Sequence, residues 1–270
     1  MPVTTSQQIA DYFRDFAETE VTFTKEVVRA IGLNPSEVQL RCMGDQWPCA
    51  IYGSSMTTAR IIAKLHPRLN ESLRRANNAV ALRYSFTDPD KERPIAFLVK
   101  ARTTGFARFG AEHADLYVAN LMFSQKPPDD LIRILGRLLE ANRNATRRRE
   151  WRLPLSAVVV KALGIQLDGI TVRENGKRIR ALLRDISFSG CKAVVPIAAE
   201  KLADREIGLV LPFDDPTETV DLAATVCHSD RVEGHDNVGV FGIHFKEESV
   251  PVSYKMRINA ALRTQRSGTN

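Results

Sequence analysis

Apolar positions near the start of the chain repeat with the spacing of a helix face. Ile9, Tyr12 and Phe16 follow possible capping residues at positions 4–6 and predict an amino-terminal helix. A second, short helix is predicted over residues 25–31, because Gly32 follows it as a C-cap and a breaker pair comes soon after. The chain therefore opens with two helices before the pattern changes.

After Gly32 apolar and polar residues begin to alternate, which is the pattern of half-buried strands. One helix is predicted within this region, over residues 67–76, where a proline stands in the first turn. The amino-terminal half is thus mixed but mostly β. Its predicted strands are 38–42, 47–52, 56–65, 80–86, 95–101 and 116–123.

Two prolines and two acids at 127–130 open a further helix, whose apolar face includes Leu131, Leu135 and Leu138. It leads into an arginine-rich stretch, after which Pro154 prevents simple continuation and short β-type segments follow. The dipeptide Asn175-Gly176 predicts a tight hairpin. The predicted strands are 157–163, 170–174, 177–186, 191–195, 207–211, 219–227 and 238–245, followed by a closing helix at 254–262.

These elements predict a mainly β protein with flanking helices, built as two small β-barrel-type domains joined by an arginine-rich linker. The predicted boundaries are an amino-terminal domain over 1–140, a linker over 141–152, a barrel with its closing helix over 153–263 and a flexible tail over 264–270.

Composition is that of a folded protein of about two domains, with 270 residues of which 44% are hydrophobic. No run approaches the roughly 18 apolar residues that a membrane span needs, and the start lacks the order of a signal peptide. We therefore expect a cytoplasmic protein. Its four cysteines form no zinc or disulfide pattern and are predicted to be small core residues.

Positive charge is concentrated at the predicted linker. The formal charge of the chain is +6, and residues 141–152 contain five arginines against one acid. Guanidinium groups bind phosphates and purine edges through two parallel hydrogen bonds, so this cluster favours a phosphate-bearing partner. A solvated basic linker is the alternative.

Two short motifs frame the start of the carboxyl-terminal barrel. Arg148 and Arg152 form an RxxxR segment, and Asp185, Ser187 and Gly190 form a DxSxxG turn about thirty residues later. Together with the strand at 238–245, these motifs resemble the PilZ domain family over residues 141–262. The resemblance implies a six-stranded barrel that binds cyclic di-GMP, a bacterial second messenger with two phosphates and two guanines.

The motif residues suit that ligand chemically. The resemblance implies that Arg148 and Arg152 donate to guanine edges or phosphates and stack on purines, and that Asp185 accepts from guanine N1 and N2. Ser187 is expected to donate to phosphate, and Gly190 is expected to allow close backbone approach.

Arg147, just before the RxxxR segment, carries a finer prediction. In the PilZ family an arginine at this position is associated with a stacked pair of ligand molecules. The alternative is that Arg147 only adds positive field to the pocket.

The amino-terminal half resembles the PilZ-like amino-terminal domain of two-domain spirochaete proteins, on the segments 47–56 and 121–131. It lacks the ligand motifs. The resemblance implies an output or partner-binding surface for a protein partner that the sequence does not identify, with ligand changing the arrangement of the domains. The downstream process, motility regulation among others, is not fixed by the motifs.

No catalytic constellation is apparent. Cys227 and His228 are neighbours on a predicted strand and point to opposite faces, and the five histidines show no metal spacing. We predict no enzyme and no cofactor besides the ligand cyclic di-GMP. Nucleic acid bound at the basic joint is the alternative, as is a PilZ module that binds only protein. Trp151 is predicted to pack against the barrel rather than to form a stacking platform.

Overall fold

Two compact units, divided between Leu139 and Glu140, make up the fold of this computed structural model. The structure describes residues 4–87, 94–109, 115–147, 149–214, 216–232 and 234–267. We call residues 4–139 the amino unit and residues 140–267 the carboxyl unit.

The amino unit is built on a closed six-stranded barrel, in which neighbouring strands are antiparallel. The described strands of this unit are the six of the barrel and one short strand. They are β1 (Val21–Thr22), β2 (Gln39–Cys42), β3 (Asp45–Ser54), β4 (Thr58–Lys64), β5 (Ala79–Phe86), β6 (Ile95–Arg108) and β7 (Leu116–Phe123). The sheet runs β3-β2-β5-β6-β7-β4, and β4 pairs back onto β3 to close it, while β1 adds to the end of β3. Among the described strands of this unit, closure leaves no long unpaired edge.

Helices of the amino unit begin at well-formed caps. They are α1 (Ser6–Phe16), α2 (Lys25–Ala30), α3 (Pro67–Arg75) and the first part of α4 (Asp129–Arg147). Thr5 accepts from the backbone N–H of Gln8, whose side chain accepts from Thr5 in return. The Thr24 side chain caps α2 by accepting from Val27 N.

The carboxyl unit contains eight strands in one antiparallel sheet. They are β8 (Leu153–Pro154), β9 (Thr171–Glu174), β10 (Lys177–Arg180), β11 (Leu182–Ile186), β12 (Gly190–Val195), β13 (Glu206–Phe213), β14 (Glu218–Val232) and β15 (His235–Phe245). Their order is β10-β9-β13-β14-β15-β12-β11-β8. Only Ala181 separates β10 from β11, so the chain itself joins the two sides of the sheet and the strands enclose a buried core.

The hairpin between β9 and β10 has the geometry that its sequence predicts. Asn175 and Gly176 lie at φ 48° and 77°, which is the left-handed region required at both central positions of this two-residue turn. The predicted fold class, mainly β with two barrel-type domains, is confirmed.

The segment predicted as a strand at 157–163 is instead a helix, α5 (Ala157–Leu163). Ser156 caps it by accepting from Val159 N, and Gly164 ends it at φ 65°. Val159 and Leu163 are buried on the same face, one turn apart. The run of valines suggested a strand. The cap at Ser156, the terminator Gly164 and the spacing of the buried residues by one turn together select a helix.

The structure differs from the sequence predictions at four further places. Residues 141–147 of the predicted linker are helical, as the last turns of α4, and the predicted tail from 264 continues the closing helix α7 (Val252–Ser267). A short helix, α6 (Ala199–Leu202), was not predicted. Among the cysteines, Cys227 is exposed, whereas the other three are buried.

None of the helices within the described ranges is both long and apolar enough to cross a membrane.

Gly164→Ala tests the end of α5. A Cβ at φ 65° is strained, so we expect a loss of about 1 kcal/mol in the free energy of unfolding. Urea denaturation in a Trp47→Phe background, where Trp151 is the remaining tryptophan, reports on the carboxyl unit. Val158→Ala, at an exposed position of the same helix, is the control; equal stability of the two variants would contradict the assigned cap.

Candidate functional site

Pairing of β8 with β11 brings the two motifs of the sequence together. Leu153 lies opposite Ile186 and Pro154 opposite Asp185. The side chains of Leu153 and Ile186 are fully buried. Their burial fixes the register, because a slip by one residue would move both to the surface. Arg152, the residue before β8, is thereby placed beside the DxSxxG turn.

Arg152 and Asp185 form an ion pair at the surface of the carboxyl unit. Arg152 Nη1 donates to Asp185 Oδ1 at 2.7 Å, and the backbone N–H of Lys192 donates to the same oxygen at 3.0 Å. The side chains are 43% and 21% exposed, respectively. A pair this exposed contributes little to stability, so its groups remain available to a ligand.

Ser187 is buried, and its hydroxyl holds the turn. Its Oγ donates to Gly190 O at 3.0 Å and accepts from the backbone N–H groups of Ser189 and Gly190. The prediction that Ser187 donates to phosphate stays a prediction; in this structure its hydroxyl is used inside the turn.

Gly190 is required by the barrel itself. A Cβ at this position would lie 2.3 Å from Ile243 O on β15, far closer than two such atoms can approach. The close approach predicted for Gly190 is therefore real, but the neighbour is a strand of the same unit.

Of the two neighbouring predicted arginines, the structure describes one. Arg147 is the last helical residue and is exposed, where its charge complements the carboxyl end of the helix dipole. Arg148 lies outside the described residues.

Sequence analysis missed the contacts that hold the segment between the arginines. Ser189 Oγ lies 3.2 Å from both Arg149 O and Glu150 Oε1, and its hydroxyl donates to one or the other. Arg149 Nη1 in turn lies 3.2 Å from Glu247 Oε2. Ser189 stands in an unspecified position of the DxSxxG pattern, so only its place in the turn reveals this role.

A cleft of about 240 Å³ lies beside this segment, between the end of α4, the turn and the start of α7. Phe188 and Phe245 form part of its wall, and Arg149, Glu247 and Lys255 supply charge. It combines an apolar wall with a charged rim.

Helix α7 supports the turn from the core side. The Tyr254 hydroxyl donates to Ser187 O at 2.6 Å, and its ring packs edge-on against Phe245. Complete burial raises the pKa of Tyr254 well above its usual range, which keeps the phenol a donor.

The same helix holds the end of α4 through a polar network within the carboxyl unit. Asn144 Nδ2 donates to Asn259 Oδ1 at 2.6 Å, and Asn259 Nδ2 donates to Glu140 Oε2 at 2.8 Å. Arg263 Nη2 lies 2.7 Å from the same carboxylate oxygen, and burial lowers the pKa of its guanidinium. Helix α7 thus contacts both the turn and the helix that carries Arg147.

Trp151, predicted to pack against the barrel, is 47% exposed. It lies on the segment between Arg149 and Arg152, outside the regular strand β8. The prediction of a packing role is corrected, because about half of the indole is exposed.

A larger, open groove of about 570 Å³ lies over β9, β13 and β14. Its guanidinium, Arg173, is held by Asp221 at 2.6 Å, and no motif residue lines it. We therefore place the candidate site at Arg152 and Asp185.

Comparisons with known proteins agree on the family of both halves. The family described as PilZN3 domain matches residues 7–142, and the family described as PilZ domain matches residues 146–260. A Treponema denticola protein named cyclic di-GMP binding protein is 33% identical over 259 residues, which cover 96% of this chain and 82% of that protein.

The solved structures to which this chain is similar are more distant in sequence. The Borreliella burgdorferi PlzA protein in complex with c-di-GMP is 18% identical, with a TM-score of 0.43 over 95% of this chain and 98% of that one. The K. pneumonia MrkH-c-di-GMP complex is 15% identical, with a TM-score of 0.33 over 99% and 96%.

Gly190→Ala tests whether this glycine serves the fold. The added Cβ would meet the backbone of β15, so we expect a loss of about 2–3 kcal/mol in the free energy of unfolding. Thermal and urea denaturation measure it, with Gly105→Ala as the unhindered control. A Gly190→Ala protein as stable as the parent would show that the barrel does not need this glycine.

Proposed function

Because this chain belongs to the PilZ family and joins a PilZN3 domain to a PilZ domain, we propose that it is a cytoplasmic receptor for cyclic di-GMP and not an enzyme. The observation that carries the proposal is the 2.7 Å contact between Arg152 and Asp185, which unites the two ligand motifs at the surface of one unit. The name of the Treponema denticola relative supports the same ligand.

Arg152 and Asp185 offer complementary groups to guanine. The guanidinium donates through a planar fork, which matches the O6 and N7 acceptors of guanine or a phosphate. The carboxylate accepts, which matches the guanine N1 and N2 donors. In our proposal the ligand replaces the Arg152–Asp185 contact, while Lys192 N continues to hold the Asp185 carboxylate.

Arg148 and Arg147 are the other two positively charged residues of the proposed ligand site. Arg148 is assigned from its place in the RxxxR segment. Arg147, exposed at the end of α4, is proposed to contact a second, stacked ligand molecule. The phosphates of the ligand carry the charge that these arginines neutralise.

Ser187 and Gly190 act indirectly in this proposal. Ser187 keeps the turn closed from within, and Gly190 lets that turn lie against β15. Both residues thus set the position of Asp185 and contribute through geometry.

We further propose that ligand changes the arrangement of the two units and thereby signals to a protein partner that remains to be identified. Helix α4 supports this idea, because it begins in the amino unit and ends in the carboxyl unit at Arg147. Nucleic acid at the same arginines is the alternative that a competition experiment decides.

Isothermal titration with cyclic di-GMP tests the ligand. We expect saturable binding by the parent, and binding about 10- to 150-fold weaker for Arg152→Ala and for Asp185→Ala, since each loses a charge-assisted hydrogen bond of about 1.5–3 kcal/mol. The stoichiometry reports one or two ligands per chain, and Arg147→Ala is expected to reduce two to one.

Arg180→Ala is the matched control, because Arg180 is a surface arginine of the same unit that pairs with Asp168. It should bind as the parent does. The proposal is contradicted if the folded parent does not bind cyclic di-GMP. It is also contradicted if Arg152→Ala binds the ligand as tightly as the parent does. Displacement of the ligand by nucleic acid would show that both use the same arginines.

Small-angle X-ray scattering tests the change of arrangement. We expect the scattering curve of the parent to change on addition of cyclic di-GMP and that of Arg152→Ala to stay constant at the same ligand concentration. If the parent binds the ligand by titration and its scattering does not change, binding does not rearrange the units.

A further inference from the structure

Trp151 combines a large aromatic surface with exposure and a fixed backbone. Its side chain is 47% exposed. Among the described residues of the carboxyl unit, the other aromatic side chains, four phenylalanines and Tyr254, are buried. An indole half in water contributes less apolar burial than the core aromatics do, so packing alone does not account for it.

The segment that carries Trp151 is held on both sides. On one side, Ser189 Oγ contacts Arg149 O and Glu150 Oε1, both at 3.2 Å. On the other, Arg152 contacts Asp185, and the pairing of Leu153 with Ile186 begins. The indole is therefore presented from a backbone that is anchored before ligand arrives, which reduces the entropy lost on binding.

The hydrogen-bonding groups of Arg152 and Asp185 do not cover the faces of a purine ring. Arg152 and Asp185 offer hydrogen bonds to the edge of a base, in the plane of its ring. A base bound at the surface also has two faces, and an aromatic side chain is the usual group that covers one. Trp151 lies immediately before Arg152, and adjacent Cα atoms are only about 3.8 Å apart.

We propose that Trp151 is a base-stacking residue of the ligand site, which covers the face of a purine whose edge Arg152 and Asp185 address. This inference rests on the proposed function and adds to it a specificity-determining residue at an unspecified position of the RxxxR segment. Stacking favours ligands that carry a planar base over other phosphate diesters.

Titration of full-length variants with cyclic di-GMP tests the proposal. We expect Trp151→Ala to bind about 5- to 150-fold more weakly, the equivalent of stacking one base, and Trp151→Phe to stay close to the parent. Trp151→Leu, which is apolar but lacks a ring, should resemble Trp151→Ala. Leu182→Ala, which truncates another exposed apolar side chain of the same unit, should bind as the parent does.

Fluorescence supplies a readout that a purely structural role would not affect. In a Trp47→Phe background the emission comes from Trp151, because the chain has two tryptophans. We expect cyclic di-GMP to quench this emission with the dissociation constant found by titration, and the melting temperature of Trp151→Ala without ligand to equal that of the parent.

The outcomes separate the two proposals. A parent that does not bind overturns the receptor function and the stacking role together. A parent that binds, with Trp151→Ala of equal affinity and unquenched Trp151 emission, overturns the stacking role and leaves the receptor function intact.

Discussion

The candidate site depends on the close approach of the Gly190 backbone to β15. Only a residue without a Cβ fits there, since that atom would lie 2.3 Å from Ile243 O. This contact lets β12 pair with β15 along its whole length and sets where the preceding turn begins. Ser187 then closes the turn through its buried hydroxyl, and Asp185 emerges just before it. The position of the Asp185 carboxylate therefore follows from strand packing.

Buried residues hold the backbone of the candidate site in place, and exposed residues supply its charged groups. The turn is held from the core by Tyr254, and the end of α4 is held by Asn259, both on α7. These buried hydrogen bonds are costly to break, because a donor or acceptor would be left unsatisfied. The charged groups, Arg152 among them, stay at the surface in contacts that water can replace. The frame is thus held together without ligand, whereas the exposed charged groups can exchange partners.

Much of this fold is predictable from the sequence because strands and turns leave local signals. The Asn175-Gly176 hairpin and the strand at 116–123 follow from turn chemistry and alternation. Helix α5 does not, because its valines favour a strand and only the cap at Ser156 and burial against the core decide otherwise. The Asn144–Asn259 contact joins residues 115 positions apart, and no local pattern reports it. Likewise, the motif spacing predicts that Arg152 and Asp185 meet, whereas the exposure of Trp151 depends on tertiary packing.

The structural duties of Ser187 and Gly190 affect how such motifs change in evolution. Both residues are needed for the barrel whether or not a ligand is bound, so selection for folding alone is expected to preserve them. Exposed arginines have no comparable duty, and a lineage that abandons the messenger is free to lose them first. A barrel that keeps the turn but lacks the arginines is then expected to have lost the ligand. The arginines, rather than the turn, indicate which descendants still respond to it.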